Sequence, residues 1–346
     1  MKPVAMMTAV AALVCFLVPS SLKADETDTL STSLLPALLT LMQADTTKYI
    51  LPDTGVTKFY GSNTGEIVEP YDVEPYYGQD AQYNSTSQQM SYTDNGDGTV
   101  TDNLTGLMWM QADDGEKRIW DDAVTYCEDL ALAGYSDWRL PSQHELFQIV
   151  DKGKSNPAIN PVFTTNLSMY WTSDTYASLS VYAWYMCFYD GVTLYNSKRY
   201  HNGVRCVRSI QSYPEKKYEV NGSVVLDTIT NLMWPQKETT SSRKDWEGAL
   251  AYCEDLTLDG YSDWRLPNIN ELESLLDLTR ETGIDPTFET PTGQYWSSTT
   301  SPVNPTSSLY PNKGYAYDLS FGSGQIWYFY KFSEFYVRCV RSGPLQ

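Results

Sequence analysis

Hydrophobic and polar positions along this chain fall into a pattern that is spelled out twice. Trp120, Ala123, Tyr126, Cys127 and Leu130 recur at helical spacing and predict an amphipathic helix. Gly134 suits the turn that ends it. A second helix is predicted after the Arg-Leu-Pro run. Ser142-Gln143-His144-Glu145 is a capping box, and Leu146, Ile149 and Val150 supply a buried face. The period then changes to two: Trp184, Met186 and Phe188 share one strand face. In the closing Val-Arg-Cys-Val-Arg, alternation places Val204, Cys206 and Arg208 on one side and Arg205 with Val207 on the other. Upstream, the Asn-Gly of Asp94–Thr99 predicts a tight hairpin. An Asp/Asn/Gly loop also invites a calcium reading, but this one lacks the spacing and terminal Glu of an EF-hand, so no metal site is assigned.

The same order returns in the second half. Trp246, Ala249, Tyr252 and Cys253 repeat the first helix. Asn268-Ile269-Asn270-Glu271 with Leu272, Leu275 and Leu276 repeats the second, and Tyr317, Leu319 and Phe321 repeat the strand face. Gly134–Pro141 and Gly260–Pro267 are identical, and each copy closes on Val-Arg-Cys-Val-Arg-Ser. Copy two carries an insertion, placed near Ser301–Ser308, where loop-forming residues cluster. The repeat is domain-sized, well beyond solenoid units. Two helices and a strand-rich half make each copy α+β, and each is long enough to bury a core. The predicted architecture is two tandem domains, each with two helices and a mostly antiparallel sheet closed by a disulfide. Domain one spans 49–212 and domain two 213–346. Residues 50–90 have no counterpart and are expected to pack on copy one.

The amino terminus reads as a signal peptide over 1–24, with Lys2 as its charged region and an apolar run from Val4 to Val18. Cys15 would leave with it. Residues 25–48 read as a flexible leader, and its Leu34–Met42 run is too short to span a membrane. The expectation is an exported chain, periplasmic, cell-surface or extracellular, with no membrane span after processing.

Net charge is −19, or −21 once Lys2 and Lys23 are removed, which argues against nucleic acid as a partner. With 27 Tyr and 10 Trp against two His, the chain is aromatic-rich, which fits β-structure or platforms for sugar rings. Cys127 and Cys206 match Cys253 and Cys339, whereas Cys187 has no counterpart. Parity and repeat symmetry predict the bridges Cys127–Cys206 and Cys253–Cys339, with Cys187 free. Such long loops stabilise by roughly 4–5 kcal/mol in the chain-entropy picture, in an oxidising compartment.

No catalytic constellation emerges, and no cofactor is implied. His144 is expected on a helix surface, and His201 sits in a turn; neither repeats. Glu128 and Asp129 are adjacent on a helix and point apart, so they do not flank one bond. In Asp-Trp-Arg-Leu-Pro, Trp138 is expected to fill the core, Arg139 to pair with Glu145 and Pro141 to start the helix; a ligand-stacking Trp138 is the alternative. Recognition is expected instead in the loops between Tyr-Trp and Val-Arg-Cys, where the copies diverge. These hold Tyr189, Tyr195 and Tyr200 in copy one and Trp327, Tyr328 and Tyr330 in copy two. The competing reading is that these rings pack under their own loops.

Gly-Leu-Met-Trp, the Trp-x-x-Ala-x-x-Tyr-Cys helix, Gly-Tyr-Ser-Asp-Trp-Arg-Leu-Pro, Tyr-Trp-(Ser/Thr)-Ser and Val-Arg-Cys-Val-Arg together resemble the Lcl C-terminal domain family, over residues 50–209 and 218–342. The resemblance implies a C-type-lectin-like fold in which a bridge ties the first helix to the final strand. The family's namesake, the Legionella collagen-like protein, is an adhesin with affinity for sulfated glycans. This chain departs from it: there is no Gly-X-Y tract, the charge is strongly acidic, and the sugar-ligating motifs of calcium-dependent lectins are missing. Arg-Leu-Pro-x-x-x-Glu is also distantly similar to formylglycine-generating enzymes, whose cysteine pair the lone Cys187 does not reproduce.

The expected function is a non-enzymatic binding or adhesion protein for a glycan or another surface ligand. The alternative is a structural subunit of a surface assembly, a homo-oligomer included, with residues 25–90 as docking arm. A formylglycine-generating-enzyme-like catalyst is third.

Overall fold

The structure is a computed structural model that describes residues 50–62, 65–72, 74–83, 88–209, 216–237, 243–302 and 314–344. The expected signal peptide, the expected leader and most of the expected copy-two insertion lie outside the described residues. Copy one opens with the hairpin β3 (Tyr92–Asp94) and β4 (Thr99–Asp102), then β5 (Met108–Met110). Its turn is an Asn-Gly turn with both Gly96 and Gly98 at positive φ, where a side chain would be strained. Helix α1 (Trp120–Glu128) and the short helix α2 (Gln143–Gln148) follow, then β6 (Met169–Thr175), β7 (Tyr182–Cys187), β8 (Val192–Ser197) and the closing β9 (Val207–Arg208). Copy two repeats the order: β10 (Tyr218–Asn221), β11 (Val224–Asp227), β12 (Leu232–Pro235), α3 (Trp246–Glu254), α4 (Ile269–Glu273), β13 (Gly293–Thr300), β14 (Tyr315–Phe321), β15 (Ile326–Tyr330) and β16 (Arg341–Ser342). The result is a mostly-sheet α+β protein with antiparallel sheets.

Local chemistry accounts for these elements. Ser142 caps α2 by accepting from the Glu145 N–H, and the Glu145 carboxylate accepts from the Ser142 N–H; Asn268 and Glu271 do the same for α4. Leu146, Ile149, Val150, Leu272 and Leu275 are all fully buried. Trp138 and Trp264 fill their cores at 2% and 1% exposure. Arg139 grips Glu145 with two hydrogen bonds of 2.7 and 2.5 Å, and Arg265 holds Glu271 identically. Both disulfides form as paired from parity, with Cα–Cα distances of 5.6 and 5.5 Å. Leu130 falls past the end of α1, whose last turn stops at Glu128.

The closing motif differs from its expected alternation. Only its last residues are strand, and Arg205 and Arg338 point inward at 0% and 1% exposure. Arg205 donates to the Met110, Gln111 and Thr164 carbonyls at 2.7–2.8 Å, and Arg338 donates to the Pro235 carbonyl and Thr290. Each guanidinium thus ties its closing segment to the loops around the opening strands, satisfying carbonyls that water does not reach.

The two copies are joined rather than strung apart. Strands β6, β7 and β8 of copy one and β13, β14 and β15 of copy two form one six-stranded antiparallel sheet in the order β13-β14-β15-β8-β7-β6. The junction pairs Thr193 with Ile326, which are equivalent residues of the two copies, so the copies meet about a pseudo-twofold axis. Without this contact, β8 and β15 would each be an open edge of unpaired N–H and C=O groups. One hydrophobic cluster extends through both copies, including Leu146, Ile149 and Met186 with Leu272, Leu275, Leu319 and Ile326. Each copy also keeps a private cluster under its first helix: Ala123, Cys127, Trp138, Trp171 and Cys206 in copy one, and Trp246, Cys253, Trp264, Trp296 and Cys339 in copy two.

Residues 50–83 pack chiefly on copy two, a correction to the expectation that they would lie on copy one. Tyr76 stacks on Trp246, Asn270 Nδ2 donates to the Pro52 carbonyl, Tyr83 donates to Glu254, and Thr299 donates to Asp80 at 2.7 Å. Lys331 Nζ reaches the carbonyls of Tyr60 and Gly61. Only the start of the segment touches copy one, where the Lys152 N–H donates to the Thr54 carbonyl at 2.7 Å.

Candidate functional site

The six aromatic residues expected to bind ligand do not converge on one pocket; they distribute along the seam and its flanks. Tyr195 on β8 stands opposite Trp184 and is stacked on Tyr176, with ring centres 4.1 Å apart and planes 5° from parallel. Tyr182 meets the same ring edge-on at 6.0 Å. In copy two, Tyr328 occupies the equivalent place, with Tyr317 and Tyr315 edge-on at 6.1 and 5.7 Å. Trp327 stacks beside Tyr328 and packs partly into the shared cluster, and Tyr330 lies against Tyr315 and Phe332. Tyr189 and Tyr200 are the most exposed of the six, at 49% and 59%. The other four are half-buried. Sequence reasoning missed Tyr176, which completes the stack, because its copy-two counterpart is Ser301 and the repeat gives no signal for it.

The seam brings the clusters together across the pseudo-twofold. Tyr317 donates to the Asp190 carbonyl at 2.6 Å, and Tyr328 donates to the Asp190 carboxylate at 3.2 Å, so two copy-two tyrosines close on a copy-one turn. Burial first, and then the nearby Asp190 charge, push the Tyr328 hydroxyl well above its ordinary pKa, which keeps it a donor. On the mirrored side, a cleft lies between Tyr176, Ala177, Ser178 and Trp184 of copy one and Leu278, Arg280 and Gly322–Gly324 of copy two. Gly324 sits at positive φ, and a Cβ there would come within 2.9 Å of both Trp184 and Leu278. The cleft has about 10 Å³ of room, space for one water and far below the volume that encloses a small ligand. Any ligand here lies on the surface rather than within it.

The titratable groups near the seam are structural. His144 is not on an open helix surface: its Nδ1 lies 2.5 Å from Glu273 of the other copy and its Nε2 lies 2.5 Å from the Gln148 amide. Cys187 is 7% exposed; burial, then the Asp190 charge, pushes its thiol up to about 12, so it stays protonated at neutral pH. Lys152 is fully buried over the Phe147 ring and donates to the Phe147 and Val150 carbonyls; burial lowers its pKa well below the usual lysine value. No described helix is long and apolar enough to cross a membrane.

The repeated architecture and its motifs correspond to a known family: the Lcl C-terminal domain matches residues 98–208 and again 223–341. The chain belongs to the Lcl C-terminal domain family. It carries two tandem copies of that domain, and the matched spans run from the turn of the opening hairpin to the closing strand of each. No curated protein matches the sequence.

Proposed function

We propose that this Lcl C-terminal domain protein is an exported, non-enzymatic binding or adhesion protein, built from two lectin-like copies, that recognises a glycan or another surface ligand along its aromatic seam. The observation that carries the reading is the paired clusters around Tyr195 and Tyr328, related by the pseudo-twofold and flanked by a cleft too small to enclose a substrate. Aromatic faces of this kind offer broad apolar contact with a polar rim of hydroxyls, which suits a sugar ring or an extended surface. Export is supported by the amino-terminal sequence and by two disulfides. The non-enzymatic part is supported by the protonated Cys187 thiol and the structural engagement of His144.

Because the copies share a sheet and a core, two binding surfaces on this chain are held at fixed separation. Avidity then depends on ligand spacing rather than on linker reach. The test is a glycan and matrix-component array with the full protein, followed by titration of any hit with Tyr195→Ala and Tyr328→Ala. Each substitution is expected to weaken binding about tenfold. Binding that neither substitution changes would remove the seam from the site. The assembly reading is weakened by one observation: residues 50–83 clasp copy two of their own chain and are not offered as a free arm. Light scattering on the full protein separates the two, since an assembly subunit would form a defined oligomer.

A further inference from the structure

The pseudo-twofold relates two equivalent faces, one covered and, among the described residues, one uncovered. In copy two, Trp246 is 0% and Lys331 4% exposed. The Lys331 ammonium sits 3.8 Å from the centre of the Trp246 indole and donates to the carbonyls of Tyr60 and Gly61 at 3.1 and 3.0 Å. The Gly314 N–H donates to the Ser62 carbonyl at 3.2 Å. Tyr76 stacks on Trp246, and Tyr83 lies under the Arg265 guanidinium while its hydroxyl donates to Glu254 at 2.6 Å. A tyrosine-bearing segment that turns back on itself as a hairpin at Phe59–Ile67 and ends in a short 3-10 helix at Asp80–Gln82 is therefore held by a lysine, a tryptophan, a glutamate and an arginine.

Copy one has all four at the equivalent positions: Lys198, Trp120, Glu128 and Arg139. Lys198 Nζ is also 3.8 Å from the centre of its indole, and the Lys198 N–H donates to the Val181 carbonyl as that of Lys331 does to Gly314. No described residue covers this face. Trp120 and Lys198 are half-buried, Glu128 is exposed, and the Arg139 side chain is 41% exposed against 14% for Arg265. Beside them Val181 and Leu179 are 59% and 50% exposed. Among the described residues nothing accepts a hydrogen bond from the Lys198 ammonium.

One receptor position differs in charge. Thr299 of copy two donates to the buried Asp80 carboxylate of the covering segment, whereas copy one has Asp174 there, already accepting from the Gln143 N–H. A ligand acid placed like Asp80 would meet a carboxylate instead of a hydroxyl.

We propose that this face of copy one is a peptide-binding site. It takes a tyrosine-bearing segment of another protein chain, laid as Tyr60, Gly61, Tyr76 and Tyr83 lie on copy two, with an uncharged residue where Asp80 stands. Lys198 would hold two successive backbone carbonyls, Trp120 would take a tyrosine ring and Glu128 a tyrosine hydroxyl. Asp174 would set the specificity by repelling an acid.

The test uses the full protein and two labelled synthetic peptides: residues 57–83 of this chain, and the same peptide with Asp80→Asn. Fluorescence anisotropy is expected to show saturable binding of the Asp80→Asn peptide, about tenfold tighter than the native sequence. Lys198→Glu in the protein should abolish that binding while shifting the melting midpoint by only a few degrees, because among the described residues the ammonium makes no hydrogen bond or ion pair and lies on the Trp120 indole. Failure of the Asp80→Asn peptide to bind, or binding no tighter than that of the native peptide, overturns the proposal. So does binding indifferent to Lys198→Glu, which would place the peptide on copy two by exchange. Neither failure bears on the aromatic seam, whose own readout is glycan binding in the Tyr195→Ala and Tyr328→Ala variants.

Discussion

Trp120 and Trp246 occupy the same position in two copies of one helix, make the same hydrogen bond to the strand below (Nε1 to Thr172 and Ser297 carbonyls, both 2.8 Å), and carry the same ammonium on their faces. One is half-buried and the other is core. The difference comes from residues 59–83, which lie far upstream and have no repeat. Identical local sequence therefore supports two states of the same surface, and a covering segment decides which one is realised. The seam teaches the complementary lesson. There the two copies bury equivalent strands against each other, and what reads as two modules becomes one body with two private cores and one shared core.

The largest effect expected from breaking this comparison is on the copies themselves. Cut between residues 212 and 213, each half exposes its share of the common cluster and an unpaired β8 or β15 edge. Separately expressed halves should lack the sharp cooperative unfolding of the full chain, which calorimetry should record as a single transition. Two independent transitions at the full-chain temperatures would show that the shared core contributes little.

Next is the covered face against the bare one. Trp246→Ala should destabilise by ~3–5 kcal/mol, as for a buried tryptophan, and Trp120→Ala by only about 1–2 kcal/mol because part of its ring already faces water. Urea unfolding of both variants measures the gap. Equal losses would mean that the covering segment adds no burial energy.

The covering segment also carries a pH signature. Burial, only partly offset by hydroxyls of Thr54 and Thr299, pushes Asp80 from 3.8 up to about 7. The folded state then keeps a proton that the unfolded state has released between those values, so stability contributed here falls as pH rises from 3.8 through about 7. Asp318, buried on β14 where copy one has Tyr185, is raised to about 8 by the same cause and extends the decline. Urea midpoints at mildly acid and mildly alkaline pH should differ less in Asp80→Asn than in the unmodified protein. An unchanged difference would show that Asp80 does not titrate in this window.

Smaller effects sharpen the seam. Tyr317→Phe removes one hydrogen bond to the Asp190 carbonyl and should cost about 1 kcal/mol by chemical denaturation. Tyr200→Ala, at the exposed end of the range, should fall within about 0.5 kcal/mol. A larger loss at Tyr200 would mark it as a packing residue rather than a surface one.

Much of each copy was legible in the sequence because the deciding interactions are short-range or repeated. The capping boxes at Ser142 and Asn268 read directly from residues three apart. The Arg139–Glu145 pair was expected in the Asp-Trp-Arg-Leu-Pro motif and recurs as Arg265–Glu271 in the repeat, and the disulfides followed from the parity of matched cysteines. The buried faces of α2 and α4 followed from periodicity. Of the candidate site, the residue identities were visible and their grouping was not. Tyr195 gains its stack from Tyr176, where copy two has Ser301.

What the chain alone determined, then, is the content of each copy: its helices, strands, bridges and internal ion pairs, all specified by neighbours in sequence or by the repeat. Tertiary structure decided how those contents are used. It set the pairing of Thr193 with Ile326, the inward turn of Arg205 and Arg338, the partnership of His144 with Glu273, and the choice of copy two as the seat of residues 59–83. Periodicity reports which side of an element is apolar, and it is silent on which distant surface covers that side. Open strand edges and half-covered aromatic faces are satisfied by whatever complementary surface folding brings to them, and two copies with matching edges satisfy each other.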